Sequence, residues 1–289
     1  MTNDFFNETV WEKAWKKDVQ TGVNKLKQAG IDPIHVFDHR AKSFNEQAFN
    51  EEGRRRTKEI INWLEGQGVM FKDVSILDIG AASGGFTVPF AEKGGNVTAV
   101  EPNLPLGELL KENALGITNG KVAVVAEPFE NIDVQGKGWG KAFDFVFVSM
   151  CPVIVDWESV EKVLSCARQF CYISLGVGSR EHSLMSEIWS LLTDHPLKNE
   201  HLEMAYLLHL LTLKGYSYTS LVSREMTTRE VSRETAFQEV IDWLRMFGLP
   251  ANDRNRQIVT EYLERTYPVN KVEIRQSGRF GKVLIHLHD

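Results

Sequence analysis

Short apolar segments alternate with helical segments between residues 74 and 175, and this alternation constrains the fold more than any other feature of the sequence. The apolar segments occupy residues 74–80, 96–100, 121–126, 143–148 and 170–175. Apolar strands separated by amphipathic helices are typical of a parallel sheet covered by helices on both faces. We therefore expect an α/β protein with a doubly wound sheet.

The segments that flank this core predict further parts. Residues 1–70 are expected to form an N-terminal helical segment, and residues 179–267 a mostly helical cap. Two closing strands are expected at 271–276 and 282–287, joined by a turn at Ser277, Gly278 and Gly281 into an antiparallel hairpin. The core would then comprise residues 71–178 and 268–289, with seven strands in all.

The composition excludes several classes of protein. The chain has 33 Lys and Arg against 39 Asp and Glu, a net charge of −6, whereas a nucleic-acid partner usually requires a basic face. The 3 cysteines have no metal-ligand spacing and cannot all pair, so we expect a reducing compartment and no metal. Neither a signal peptide nor an apolar run of about 20 residues is evident, which predicts a cytoplasmic protein without a membrane partner.

The sequence LDIGAASGGFT, at residues 77–87, is the most informative segment because it lies where a strand turns into a helix. Small residues let the backbone approach a ligand, and the free N–H groups of the helix start face it. Glu101 ends the next strand about 20 residues later, where an acid can accept hydrogen bonds from a ribose. Dinucleotides and S-adenosylmethionine both use this arrangement.

Two residues favour S-adenosylmethionine over a dinucleotide. The dinucleotide motif G-x-G-x-x-G requires a glycine at the place occupied here by Ala82. Asp78 would repel a pyrophosphate, whereas its carboxylate suits the cationic amino and sulfonium groups of S-adenosylmethionine.

The stretch VSILDIGAASGGFTVPFAEKGGNVTAVEPN, at residues 74–103, resembles the first motif and second strand of class I S-adenosylmethionine-dependent methyltransferases. The resemblance implies a Rossmann-like sheet with an antiparallel last hairpin, and S-adenosylmethionine as cofactor. The residues that the resemblance assigns to the cofactor fall into four groups: Asp78, Gly80, Ala81, Ala82 and Gly84 around the methionine part, Glu101 at the ribose, Pro102, Glu127, Pro128 and Phe129 around the adenine, and Ser149 and Met150 beside the methyl group.

The acceptor is less constrained than the cofactor. Ser149-Met150-Cys151-Pro152 replaces the Asn/Asp-Pro-Pro-aromatic motif of many amino-methylating enzymes, and the fifth strand lacks the lysine of ribose methyltransferases. Together with the net negative charge, these departures favour methyl transfer to a small molecule. An RNA or protein methyltransferase and a non-catalytic cofactor-binding protein are the alternatives. No catalytic residue is assigned, because a general base is needed only when the nucleophile arrives protonated.

Overall fold

The computed structural model describes residues 4–197 and 200–287. The strands are β1 (Ser75–Ile79), β2 (Asn96–Val100), β3 (Lys121–Val125), β4 (Phe143–Ser149), β5 (Ala167–His182), β6 (Glu200–His201), β7 (Ser217–Val231) and β8 (Val272–His286). The helices are α1 (Glu8–Lys17), α2 (Gly22–Gln28), α3 (Ala41–Phe49), α4 (Glu51–Gly66), α5 (Thr87–Glu92), α6 (Leu104–Asn113), α7 (Trp157–Cys166), α8 (Ser183–Leu192), α9 (Glu203–Leu213), α10 (Arg233–Met246) and α11 (Asp253–Thr266). Short 3-10 turns lie at Asp4–Phe6, His35–Arg40 and Phe129–Asn131.

The main sheet of the described residues has the strand order β3-β2-β1-β4-β5-β8-β7. The pairs from β3 to β5 are parallel, and β8 runs antiparallel to both of its neighbours, β5 and β7. The predicted doubly wound, seven-stranded sheet with an antiparallel last hairpin is therefore confirmed. The two-residue strand β6 lies off this path and pairs with β5.

The position predicted for the hairpin is wrong. The segments expected at 271–276 and 282–287 form one continuous strand, β8, whose partner is β7. Gly281 lies inside this strand, and its glycine is explained by close packing rather than by a turn, since a Cβ there would be 2.7 Å from Met204 Cε. The sequence of β7, SYTSLVSREMTTREV, is mostly polar, and its residues alternate only between exposed and half-buried. β7 therefore lacks the apolar pattern of a buried strand. It lies within residues 179–267, expected to be mostly helical, and that expectation is wrong for this segment.

Helices cover both faces of the sheet. On one face Leu77, Val146 and Ile173 pack in a core that includes Trp15 of α1 and Leu207 of α9. A second core on the other face is shared between α4, α5 and the strands. Its aromatic centre is Phe147 stacked on Tyr172, with ring centroids 4.6 Å apart and 6° between planes. This second core fixes α4 over the sheet, close to the bend that follows β1.

The N-terminal helices lie on different sides of the molecule. Trp15 of α1 is fully buried and stacks on Tyr206 of α9 at 5.8 Å, on the side away from α4. Asn50 caps α4 by accepting from the Gly53 amide at 2.8 Å, and the buried Ile60 faces the sheet. The α3–α4 part of the predicted 1–70 segment therefore lies beside the bend, and the turn before it reaches the end of β2, where the Asn103 side chain donates to the Ile34 carbonyl oxygen at 2.7 Å.

The far halves of β7 and β8 extend beyond the parallel strands and carry a core of their own. Val272 and Ile274 of β8 pack there with Ile188 of α8, Leu244 of α10 and Val259 of α11. This cluster forms a second, mixed helical and strand layer next to α4.

Candidate functional site

The bend between β1 and α5 has an unusual backbone. Gly80, Ala82 and Gly84 all adopt positive φ, at 74°, 49° and 92°. A Cβ on Gly80 would overlap the side chain of Cys151, which follows β4. The absence of a side chain at Gly80 therefore lets two loops at the carboxyl edge of the sheet approach each other closely.

Asp78, near the end of β1, is 2% exposed and faces this bend. Its Oδ2 accepts a hydrogen bond from the Thr87 hydroxyl at 2.5 Å. Burial raises the pKa of Asp78 to about 7, the Thr87 bond opposes the shift, and the nearby Glu101 adds to it. A buried acid with a pKa near neutrality ionises readily when a cation is brought beside it.

Glu101 ties the end of β2 to the bend. It is 6% exposed, and its Oε2 accepts from the Ala82 amide at 2.7 Å while Oε1 accepts from the Asn103 amide at 2.8 Å. Burial raises the pKa of Glu101, and the two amide bonds oppose that shift. Each carboxylate oxygen has a further lone pair, so the fixed acid can still accept hydrogen bonds from a ligand.

A cavity of about 250 Å³ lies beside the bend. Its lining includes six residues of the predicted cofactor set: Asp78, Gly80, Ala81, Ala82, Ser149 and Met150. Aromatic side chains complete the wall, among them Phe86, Phe147 and Tyr172. Predominantly apolar concave walls with a few placed polar groups are typical of small-molecule sites.

The other predicted site residues do not line this cavity. Gly84 is packed near Leu110, and Glu101 lies under the bend. Glu127 forms an ion pair with Lys137 at 2.9 Å. Phe129 is 3% exposed and belongs to the core. Adenine contacts for Pro102, Glu127, Pro128 and Phe129 therefore stay predictions.

Sequence reasoning missed several residues that the fold brings to the cavity. Tyr172 and Lys282 of β8 belong to this group. Thr87 was missed as well, but it lies behind the lining, where it donates to Asp78. The one signal for Lys282 is its place as a lone charge ahead of the apolar run VLI. An adjoining cavity of about 590 Å³ is lined by α4, β7, β8 and α10, and the two cavities share Arg56, Glu225 and Lys282.

A sheet with β1 to β5 parallel, β8 inserted antiparallel between β5 and β7, and a glycine bend after β1 is now established. The chain has the class I methyltransferase fold. In the part of the methyltransferase fold described here, residues 4–197 and 200–287, no group of three His, Cys, Asp or Glu is placed to hold a metal ion. No helix in those ranges is long and apolar enough to cross a membrane.

The solved structures that are similar to this chain share little sequence with it. The YcgJ protein from Bacillus subtilis matches 81% of this chain and 99% of its own, at 14% identity and a TM-score of 0.49. The plantazolicin methyltransferase BpumL, solved with SAH, matches 96% of this chain and 99% of its own, at 14% identity and a TM-score of 0.45. Magnesium protoporphyrin IX methyltransferase from Synechocystis, solved with SAM, matches 76% of this chain and 89% of its own, at 14% identity and a TM-score of 0.42. No protein-family model and no curated protein matches the chain.

Proposed function

We propose that the protein is an S-adenosylmethionine-dependent methyltransferase that acts on a small molecule. The observation that carries the proposal is the buried Asp78 carboxyl, with a pKa raised to about 7, facing a cavity of about 250 Å³ beside a glycine bend. When bound, S-adenosylmethionine would supply a methyl carbon on a positively charged sulfur, and the C–S electron pair would pass to the sulfur as the acceptor's lone pair forms the new bond.

The residues present fit this cofactor. Asp78 offers a carboxyl group whose ionised form is stabilised by a cationic ligand. Gly80 leaves open the space that a Cβ would fill, and Glu101 is fixed by two amide bonds with lone pairs to spare. We assign Asp78 to the cationic amino acid part and Glu101 to the ribose hydroxyls.

The cavity walls explain how such a chain would promote transfer. Phe86, Phe147 and Met150 provide apolar surface that excludes water and restrains the acceptor. Much of the rate of a displacement of this kind comes from alignment of the two reactants. Ser149 at the end of β4 and Ser174 in the middle of β5, whose hydroxyl oxygens are 3.0 Å apart, add polar groups at the same wall.

The enclosure of the site supports a small acceptor over a macromolecule. Helix α4 covers the inner cavity, and Trp243 of α10 borders the adjoining one. We infer that the 179–267 region acts as a cap, to which β7 contributes a wall. A flat basic face would instead suit RNA, and the net charge of −6 does not favour one. The cytoplasmic location stays a prediction from the sequence.

Calorimetric titration with S-adenosylhomocysteine tests the cofactor assignment. We expect binding, and none for NAD. Glu101→Gln removes an acceptor oxygen and should weaken binding by about 1.5–3 kcal/mol, whereas the exposed Glu112→Gln on α6 should leave it unchanged. NAD binding, or equal affinities for both variants, would contradict the assignment.

The acceptor class is tested by transfer from isotopically labelled S-adenosylmethionine into fractionated cell extract. Label in the small-molecule fraction supports the proposal. Label only in the RNA or protein fraction would support the corresponding alternative. Binding of the donor with no transfer to any fraction would favour a non-catalytic cofactor-binding protein.

A further inference from the structure

A buried lysine lies at the junction of the two cavities. Lys282 is 9% exposed and lines both of them. Within the described part of the chain it forms neither an ion pair nor a side-chain hydrogen bond. An ammonium group that faces a cavity without an ion-pair partner is stabilised by an anion placed beside it. Such a position is suited to an anion that arrives with a ligand.

A buried hydroxyl lies on the same face of the sheet. In the β5–β8 register Lys282 is opposite Ser174, and Tyr172 is two residues before Ser174 on β5. Alternate residues of a strand share a face, and diagonal neighbours are within reach of long side chains. Tyr172 therefore lies diagonally beside Lys282, and both line the inner cavity.

The Tyr172 hydroxyl is available as a donor. Tyr172 is fully buried, and its Oη has no hydrogen-bond partner among the residues described. Stacking on Phe147 fixes the ring. Burial raises the pKa of Tyr172 above its usual value, with Ser174 opposing the shift, so the group stays protonated and can donate.

The surrounding charges favour an anion of one charge. Arg56 of α4 and Glu225 of β7 line both cavities together with Lys282. These three shared residues carry a net charge of +1, which one carboxylate would neutralise. Asp78, the other acid of the inner cavity, adds no charge while it is protonated and is paired when a cationic ligand is bound beside it. A dianion such as a phosphate ester would be repelled by Glu225. Phe86 and Phe280 provide apolar surface for the rest of the ligand.

We propose that Lys282 and the Tyr172 hydroxyl bind a carboxylate of the methyl acceptor, which makes the substrate a small carboxylic acid with an apolar body. The identification of the ligand as the acceptor rests on the proposed methyltransferase function. The carboxylate preference of the cavity is a property of the chain itself, and it can be measured with or without cofactor.

Three probes of similar shape test the subsite: phenylacetate, phenylacetamide and benzyl phosphate. Their affinities are measured by ligand-observed NMR on the full chain, with and without S-adenosylhomocysteine. We expect phenylacetate to bind about 10-fold more tightly than the neutral amide, because a charged hydrogen-bonded pair is lost. Benzyl phosphate should bind more weakly than phenylacetate.

Variants assign the preference to particular side chains. Lys282→Met should abolish the preference for phenylacetate over phenylacetamide, and Lys282→Arg should retain this preference by keeping the charge. Tyr172→Phe should reduce it several-fold. Lys58→Met, at an exposed position of α4, is the matched control and should leave it unchanged. Thermal unfolding verifies that each variant is folded, and Lys282→Gln and Tyr172→Phe provide the test if the methionine variant is not, with an unchanged carboxylate preference in both contradicting the subsite.

Several results would overturn the subsite: equal affinity for the amide and the carboxylate, tightest binding of benzyl phosphate, no binding of phenylacetate at millimolar concentration, or an unchanged preference in folded Lys282→Met. Titration of the same samples with S-adenosylhomocysteine separates this failure from that of the proposed function. Binding of S-adenosylhomocysteine without a carboxylate preference contradicts only the subsite. A carboxylate preference without binding of S-adenosylhomocysteine contradicts only the methyltransferase assignment.

Discussion

The Thr87 hydroxyl donates a 2.5 Å hydrogen bond to Asp78 Oδ2 and so joins the first residue of α5 to the end of β1. The bond crosses the base of the glycine bend. It lowers the pKa of Asp78, but burial has the larger effect and raises that pKa to about 7. The protonation state of this acid therefore changes in a range where it is easily measured.

The contribution of Asp78 to the stability of the protein should fall as the pH rises from about 4 to 7. In this window the folded state keeps the Asp78 proton, whereas the unfolded chain, with a pKa of 3.8, releases it. Asp78→Asn keeps a neutral side chain and should be more stable than the wild type at pH 8 by on the order of 2–4 kcal/mol. Urea unfolding at several pH values measures the difference. The exposed Asp194→Asn should follow the wild type, and an equally steep decline in Asp78→Asn would contradict the prediction.

Gly80→Ala should destabilise the protein more than the same change at another glycine with positive φ. At Gly116, φ is 83° and a Cβ would meet nothing within 4 Å. Gly116→Ala should therefore lower the free energy of unfolding only by the strain of a non-glycine residue at positive φ, about 1–2 kcal/mol. At Gly80 the overlap with Cys151 should add about 1–3 kcal/mol. Chemical denaturation of both variants measures the excess. Cys151→Gly in the Gly80→Ala background should recover most of it, and purely additive effects would argue against the contact.

Two glycines of β8 distinguish the observed strand from the turn that the sequence predicts. At Gly281 a Cβ would lie 2.7 Å from Met204 atoms, so Gly281→Ala should cost about 1–3 kcal/mol. At Gly278 the contacts begin at 3.4 Å, and alanine there should be neutral or gain about 0.5 kcal/mol from its better strand propensity. Denaturation midpoints compare the two. Similar effects at both positions would speak for a turn.

The cysteines should resist alkylation in the folded protein. Burial raises the pKa of Cys151 to about 12 and that of Cys166 to about 11, and it raises the pKa of Cys171 as well. Because the thiolate is the reactive species, iodoacetamide at pH 8 should modify the buried Cys166 and Cys171 more than about 100-fold more slowly than a free cysteine, and it should also modify the half-buried Cys151 more slowly. Mass spectrometry follows the reaction, and the urea-unfolded chain provides the control. Rapid modification of native Cys151 would show that its thiol is open to solvent.

The sequence by itself determined the five parallel strands and the bend after β1. The central strands β1 and β4 are buried on both faces and therefore carry continuous apolar runs, and the edge strand β3 keeps a β-branched run although it is exposed or half-buried. A bend with positive φ requires small residues such as Gly80 and Gly84. These signals are local, so they are readable without knowledge of the partners. The acid at Glu101 is placed by the same logic, since it ends a strand next to β1.

Only the tertiary structure decided which strand pairs with β8 and which side chains complete the cavities. β7 pairs with β8 over sequence separations that run from 69 residues at Ser217↔His286 to 41 residues at Val231↔Val272. The polar sequence of this edge strand has no local signal of burial. Lys282 and Tyr172 are 110 residues apart and meet only through strand register. Such positions depend on long-range backbone pairing, which fixes a side chain's neighbours without altering the sequence around it.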